Sequence, residues 1–497
     1  MKELDISPIS RIEGHLDFKI MIEDHKVVDA KAIGALFRGF EIILKGREPE
    51  DALIITPRIC GVCPTSHNDA SARALDCAYD AEVPPNGYLV RSTLLATENT
   101  MSHAAHIYVL FGPDLVNMKY SKHKAYPELA KRFSAITGTS YKGAVLTRIK
   151  LDEIFAIFGG KHPHTTFVPG GVPCRVKTSD ITKAVGILMG VQDFIENTTL
   201  GCSVERWLEN KSLKDVQAWL EEDEKHANSD LGLIIRYGPD LGLHKIGVGP
   251  GKFLAYGVYH QKDSKPWLPG GYFDGKLHEL DQSRISEHIK HSWYEGYEGG
   301  RHPHEGVTKP YYDPESDDKY SWAKSPRYSD APAEVGPLAR QIIDKDALVL
   351  NLAENFGPCV FTRVLARAHE AVRTLAKIKE MLLELDVNEP FYKKPTKPKN
   401  AEGIGLTEAA RGALGHWINI KDGKIDNYQV ITPTAWNVSP KDSFGNNGPI
   451  ESAVIGTEIA DESNPVEVQH IIRSYDPCIA CTVHYVTPGK NFTLKVV

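Results

Sequence analysis

The sequence predicts a mainly α protein with peripheral β structure, an α+β fold in which a large helical bundle core carries small β elements from the N- and C-terminal regions. Three patterns predict that class. Apolar residues recur at three- and four-residue steps through much of the central chain, apolar and polar residues alternate over Leu16–Ile22, and alternation returns after Gly405. The chain has 497 residues. A chain of that length buries about three-quarters of its unfolded surface, which leaves room for a deep, dry interior. A single domain is expected over residues 1–484, with an irregular insertion at about 249–330.

In chain order, residues 1–45 read as a β-rich entry. Leu16-Asp17-Phe18-Lys19-Ile20-Met21-Ile22 alternates as a half-buried strand, Asp24-His25-Lys26 turns the chain, and Val27-Val28-Asp29-Ala30 returns. Helices are expected over 66–82, 91–111, 125–133, 147–158, 178–197, 203–224 and 360–386. The last has the clearest stripe: Val364, Leu365, Ala368, Ala371, Val372, Leu375, Ile378 and Leu382. Between 249 and 330 Gly, Pro, Tyr, Trp and His dominate and helical periodicity disappears, so short strands in irregular chain are expected. Asn388–Glu402, rich in lysine and proline, reads as an exposed connection. Trp417–Ile420 and Ile425–Gln429 flank Lys421-Asp422-Gly423-Lys424 as a hairpin with an Asp-Gly turn. Short helices are expected at 449–457 and 465–475.

Composition narrows the function. The net charge is −7, so there is no basic excess to neutralise phosphates and no nucleic-acid partner is expected. No apolar run approaches the roughly 18 residues a membrane helix requires, so no direct membrane insertion is expected. Met1-Lys2-Glu3-Leu4-Asp5 opens no apolar signal region. A cytoplasmic location is expected, with any membrane association made through a partner. The eight cysteines are Cys60, Cys63, Cys77, Cys174, Cys202, Cys359, Cys478 and Cys481. In a long chain of this kind paired cysteines read as metal or redox sites rather than a disulfide framework. The isolated four read as small buried hydrophobes.

The paired cysteines are Cys60-Gly61-Val62-Cys63 and Cys478-Ile479-Ala480-Cys481, near opposite ends of the chain. Sulfurs at i and i+3 can converge on one metal, and soft sulfur selects soft or borderline transition metals. A centre built from both pairs requires the chain ends to meet in the core. Spacing alone leaves a four-thiolate structural zinc site and two redox pairs open as well.

The flanking residues add to this. Arg58-Ile59-Cys60-Gly61-Val62-Cys63-Pro64-Thr65-Ser66-His67 and Asp476-Pro477-Cys478-Ile479-Ala480-Cys481-Thr482-Val483-His484 resemble the two signature motifs of nickel–iron hydrogenase large subunits. RIEGH at 11–15, FRGFE at 37–41, HAAHIY at 103–108, GKHPH at 160–164, VPGGV at 168–172, RGALGHW at 411–417 and PTAWN at 433–437 agree in order, so the resemblance spans essentially the whole chain. It implies that Cys60 and Cys478 are terminal nickel ligands. Cys63 and Cys481 would bridge to an iron carrying cyanide and carbon monoxide. By the same resemblance Cys478 serves as the base and Glu13 as the first proton relay. A relay needs a carboxyl whose pKa burial has raised.

The resemblance further implies that Arg411 stands over the open metal position, with Asp476 as the counter-charge a buried guanidinium needs. Thr434 would hydrogen-bond a cyanide and Pro433 would shape the pocket around the diatomic ligands. Glu41, His484 and the backbone carbonyl near Val430 would hold Mg2+, a hard ion suited to oxygen donors. Arg58 reads as structural, and His67, His103, His106, His162 and His164 as core histidines rather than ligands. The chain departs from the family pattern at Ser102, where several members have Asp, and at Ala410, where the family has Pro.

The implied activity is reversible heterolytic cleavage of H2 in the uptake direction, with electrons passing to an iron–sulfur small subunit in a heterodimer. The scattered remaining cysteines offer no cluster run of their own. Residues 485–497 resemble a C-terminal maturation peptide, which implies a maturation protease and nickel-insertion factors as further partners. The alternatives are a hydrogen-sensing regulatory subunit, against which the tail argues, and a structural zinc protein. Non-catalytic respiratory-complex relatives lack the paired cysteines.

Overall fold

The computed structural model describes residues 1–316 and 318–482, with the side chains of Cys481 and Thr482, His484 and the expected maturation peptide 485–497 outside the described residues. The N-terminal sheet is an antiparallel meander of β1 (Lys2–Ile6), β2 (Leu16–Glu23) and β3 (Lys26–Gly34). Leu16, Phe18, Ile20 and Ile22 all point inward, as the alternation predicts. Asp24 and His25 turn the hairpin with φ of 48° and 63°, the left-handed conformation that matches strand twist.

The core is a bundle of long helices. These are α1 (Pro64–Ala78), α2 (Pro85–Ala105), α3 (Thr139–Phe158), α4 (Thr178–Phe194) and α5 (Val360–Leu383). α5 packs on α2 and α4, and α3 packs on the same pair. Every residue of the predicted α5 stripe is buried. α1 and α2 start earlier than apolar periodicity suggests because each opens with proline, whose fixed φ suits the first helical position. The expected helix over 203–224 is two pieces, Val204–Leu208 and Leu213–Glu222. Ser212 breaks the run by accepting from Asp215 N at 3.2 Å, as an N-cap does.

The aromatic-rich stretch forms two small antiparallel sheets. One contains β4 (Phe253–His260) and β5 (Pro266–Phe273); in the other Ile285–His288 is the central strand. The 388–402 connection is mostly exposed, but it is tied down. Phe391 is buried, and its carbonyl accepts from Val172 N at 3.0 Å.

The C-terminal sheet, β6 (Ala401–Ala409), β7 (Gly412–Lys421) and β8 (Lys424–Ile431), turns at Asp422-Gly423 as predicted, but starts at residue 401. α1 lies across it at backbone contact distance. A Cβ on Gly403 or Gly405 would sit 2.0 Å from Ala74 O or 1.9 Å from Ala70 O. This fixes the start of α1, which follows Cys63 directly.

Candidate metal centre

The two chain ends meet through backbone pairing. Glu13 N–H donates to Pro477 O at 3.3 Å and Ile479 N–H donates to Glu13 O at 2.7 Å, a parallel bridge between Glu13 and Cys478. Gly14 makes the approach possible. Its φ is +84°, and a Cβ there would lie 2.6 Å from Ala480 N.

This pairing places Cys478 beside the first cysteine pair. Cys60 ends a 3-10 turn, Thr56–Ile59, in extended conformation, and Cys63 is the N-cap of α1. The Sγ atoms of Cys60 and Cys478 lie 3.2 Å apart, and one ligand atom from each of Cys60, Cys63 and Cys478 falls within 4.8 Å of the others. All three residues are buried. Val62 and Cys63 N–H groups reach Cys60 Sγ at 3.3 and 3.4 Å, contacts that favour a thiolate. Among the described residues this is the group of cysteine, histidine or carboxylate side chains able to hold a metal ion. The donors are soft and enclosed, spaced for metal–sulfur bonds of roughly 2.3 Å, so they fit a thiolate-bound transition metal.

The predicted site residues gather around these sulfurs. Cys478 Sγ contacts Glu13 Oε2 at 2.9 Å, and Ala480 N–H donates to the same oxygen at 3.3 Å. Burial pushes the Glu13 pKa up, Cys60 adds to the rise, and the Cys478 contact opposes it. Arg411 donates through Nε to Asp476 O at 2.8 Å and through Nη2 to Asp476 Oδ1 at 2.9 Å, the expected pairing. Burial pulls the Arg411 pKa down, but Asp476 and the three cysteines outweigh it and hold it well above its ordinary value. Ser102 Oγ stands 3.5 Å from Arg411 Nη1.

Thr434 and Pro433 open the short helix Pro433–Asn437. Thr434 Oγ1 accepts from Cys478 N at 2.9 Å, so the backbone of the cysteine is fixed by the same hydroxyl that the resemblance assigns to a ligand. Glu41 and Val430 also meet, through the Val430 amide rather than its carbonyl: Val430 N–H donates to Glu41 Oε1 at 3.0 Å. Glu41 Oε2 accepts from Lys324 Nζ at 3.2 Å, and Lys324 lies 3.4 Å from Glu287 Oε2. Burial pushes Glu287 up to about 7 against the pull of Lys324.

Several supporting residues carry no signal in spacing or periodicity. Arg38 donates to Arg58 O at 2.6 Å, Ile59 O at 2.7 Å and Ala480 O at 3.3 Å, joining the two cysteine loops. It lies within the quoted FRGFE stretch, which was the available clue. Glu98, from α2, caps α1 by accepting from Thr65 N and Ser66 N at 2.7 and 2.8 Å. His67 is a buried core histidine, as expected. Its Nδ1 bonds His416 Nε2 at 3.1 Å, and His416 Nδ1 bonds Tyr428 OH at 2.8 Å. The His67 Nε2 has no hydrogen-bond partner among the described residues.

Fold and site together define a protein with an enclosed cysteine cluster, drawn from both ends of one chain, that could hold a metal ion. Comparison with known proteins gives the family. A model of the nickel-dependent hydrogenases matches residues 38–150 and 117–484. The periplasmic [NiFeSe] hydrogenase large subunit of Desulfomicrobium baculatum is 34% identical, over 97% of this chain and 95% of that one. The uptake hydrogenase large subunit of Rhizobium leguminosarum bv. viciae is 31% identical, over 100% and 97%. The Ni-Fe-Se hydrogenase of D. vulgaris Hildenborough in the reduced state superposes with a TM-score of 0.84 at 33% identity, over 97% of this chain and 100% of that one. The chain belongs to the nickel-dependent hydrogenase family, as a large subunit with the mixed α and β fold of that family. It is a nickel–iron hydrogenase, an H2 oxidoreductase.

Proposed function

We propose that this chain is the catalytic large subunit of an uptake hydrogenase, oxidising H2 and passing electrons to an iron–sulfur small subunit. The observation that carries the reading is a carboxyl oxygen of Glu13 2.9 Å from Cys478 Sγ, beside the three-cysteine cluster. Cys60, Cys63, Cys478 and Cys481 would hold a nickel–iron centre with cyanide and carbon monoxide on its iron, which would supply heterolytic splitting of H2. Cys478 Sγ takes the proton and Glu13 Oε2 receives it, a transfer within hydrogen-bond reach. Arg411, anchored on Asp476, supplies the cation that offsets thiolate charge in the buried site. Thr434 and Pro433 shape the wall around the iron's ligands.

A cavity of about 550 Å3, lined by Arg58, His164, Phe167, Pro169, Tyr392 and Lys397 among others, opens two residues from Cys60. We assign this face to the small subunit, since electrons must leave near the metal. No helix among the described residues is long and apolar enough to cross a membrane. We place the chain in the cytoplasm, with membrane association made through the partner. Mg2+ would be held by Glu41, His484 and the Val430 carbonyl, with buried Glu287 as an added charge partner beside Lys324. Maturation factors would insert nickel, and a protease would remove residues 485–497 from the domain spanning 1–484. An intact mass ending at His484 is the expected result.

The test is infrared spectroscopy of the natively matured heterodimer, paired with H2-dependent dye reduction and elemental analysis. Metal-bound carbon monoxide and cyanide bands with turnover support the reading. Zinc without nickel overturns it, and bands with negligible turnover would move the chain to the sensing role.

A further inference from the structure

Arg411 sits at the tip of the β6–β7 hairpin. Ala409 pairs with Gly412, so Ala410 and Arg411 alone form the turn. The tip is pressed against Val335 and Gly336: a Cβ on Gly412, whose φ is +130°, would lie 2.6 Å from Gly336 N. The short helix Pro337–Ile343 begins next to that contact and carries Arg340.

Every N–H of the Arg340 guanidinium is engaged. Nε donates to Glu370 Oε2 at 3.0 Å. Nη1 donates to Glu408 Oε2 at 2.7 Å and Ala409 O at 2.9 Å, and Nη2 to Glu370 Oε1 at 2.6 Å and Ala410 O at 3.0 Å. The partners are themselves fixed. Glu370 Oε1 lies 2.9 Å from His103 Nε2, and Glu408 Oε1 accepts from Tyr256 N at 2.7 Å. Arg340, Glu370 and Glu408 are wholly buried. One cation therefore fixes three consecutive residues, Glu408 to Ala410, immediately before Arg411.

The Arg411 side chain is less tightly held. Among the described residues its short hydrogen bonds go to Asp476, and the Ser102 contact is at the 3.5 Å limit. Its aim depends correspondingly on the backbone that carries it. We infer that Arg340 is a positioning residue of the metal centre: by clamping the 408–410 backbone it fixes the stance of Arg411 over Cys60, Cys63 and Cys478. This rests on the hydrogenase reading and deepens it.

Arg340→Lys is the informative perturbation. A lysine keeps the charge but offers three donors from one point, and cannot span two carboxylates and two carbonyls. Ala410→Pro is the compensating change. Proline locks φ near −65° and keeps the carbonyl that Arg340 holds, so it stiffens the same turn by another route. Ala410 is not among the residues with positive φ.

The experiment compares natively matured heterodimers of wild type, Arg340→Lys and Arg340→Lys/Ala410→Pro by infrared bands, nickel content and H2 oxidation rate. Wild-type protein without carbon monoxide and cyanide bands overturns the hydrogenase reading, and this inference with it. With wild-type bands present, Arg340→Lys should retain nickel, show displaced or broadened bands, and oxidise H2 about ten- to a hundredfold more slowly, the scale of a small misplacement. The double variant should recover most of that loss. Wild-type bands and rate in Arg340→Lys, or a loss that Ala410→Pro leaves untouched, overturn the clamp. If Arg340→Lys takes up no nickel, restored loading in the double variant supports the clamp and continued absence overturns it.

Discussion

Gly14→Ala tests the contact on which the metal centre is built. The alanine must adopt a φ of +84°, and left-handed backbone costs an L-residue roughly 1–2 kcal/mol. Its Cβ must also enter space held by Ala480 N at 2.6 Å and Ile479 C at 3.1 Å. These are backbone atoms and cannot rotate aside, so an overpacking cost of roughly 1–3 kcal/mol is added. The total, about 2–5 kcal/mol, falls on the pairing of Glu13 with Pro477 and Ile479 that sets the place of Cys478. Gly46→Ala is the control, because Gly46 has a φ of +80° and nothing within 4 Å of the added carbon. It carries the strain without the collision. Thermal unfolding and nickel content per chain are the readouts. Gly14→Ala should unfold at clearly lower temperature than Gly46→Ala and hold less nickel, while Gly46→Ala keeps its full complement. Equal unfolding of the two variants with full nickel in both would refute the argument.

Glu13→Gln keeps an acceptor for Ala480 N but cannot accept and pass on a proton. H2 oxidation should fall about 10²- to 10⁴-fold with unchanged nickel content and carbon monoxide bands, and wild-type turnover would remove Glu13 from the relay. Thr434→Val leaves the buried Cys478 N–H without its 2.9 Å partner. Denaturant titration should show a loss of about 1–3 kcal/mol, with Thr434→Ser near wild type; equal stability of the valine and serine variants would count against the role. Burial pushes Glu98 from 4.5 up to about 7, although Ser66 and Thr65 pull it down. The folded chain therefore keeps a proton there that the unfolded chain has released. Its contribution, about 3 kcal/mol, is full below pH 4.5 and is lost as pH rises through 7. Wild-type melting temperature should fall more steeply over that interval than that of Glu98→Gln, and parallel profiles would exclude the raised carboxyl.

Local pattern was legible in most segments that set their own conformation, the missed Ser212 cap within 203–224 being an exception. The Leu16–Ile22 alternation and the Val364–Leu382 stripe became the strand and helix they describe. The meeting of Cys60 and Cys63 with Cys478 was legible too, through the resemblance carried by the flanks of the two pairs rather than through their spacing, which left other uses open. Contacts between distant segments were not. Periodicity in Arg11–His15 indicates no partner at Pro477–Ile479, since an isolated backbone bridge leaves no periodic trace, and only the resemblance linked Glu13 to Cys478. The Glu98 cap was half visible: Thr65 and Ser66 at a helix start need acceptors, but the acceptor comes from another helix. Gly403 and Gly405, alternating within a strand, were a readable sign of close backbone approach.

The route to Cys478 also explains why so much charge is buried around a site made of sulfur. Arg473 is tied through Nε to Ser10 O at 2.9 Å and through Nη1 to Asp114 Oδ2 at 2.7 Å. Ser474 O accepts from Arg367 at 3.0 Å, Tyr475 OH from Arg363 at 2.6 Å, and Asp476 Oδ1 from Arg411 at 2.9 Å. Each residue from 473 to 476 is thus oriented by a guanidinium before the chain reaches Cys478, whose own N–H is held by Thr434. Apolar packing of equal volume would often be the more stable choice, because buried ions forfeit hydration. It could not do the same job. Dispersion contacts have little direction, whereas a forked guanidinium fixes both distance and angle, and a metal site tolerates errors of only about 0.5 Å. The arginines that hold this segment supply placement at some expense in stability, and Arg340 applies the same solution to the turn that carries Arg411.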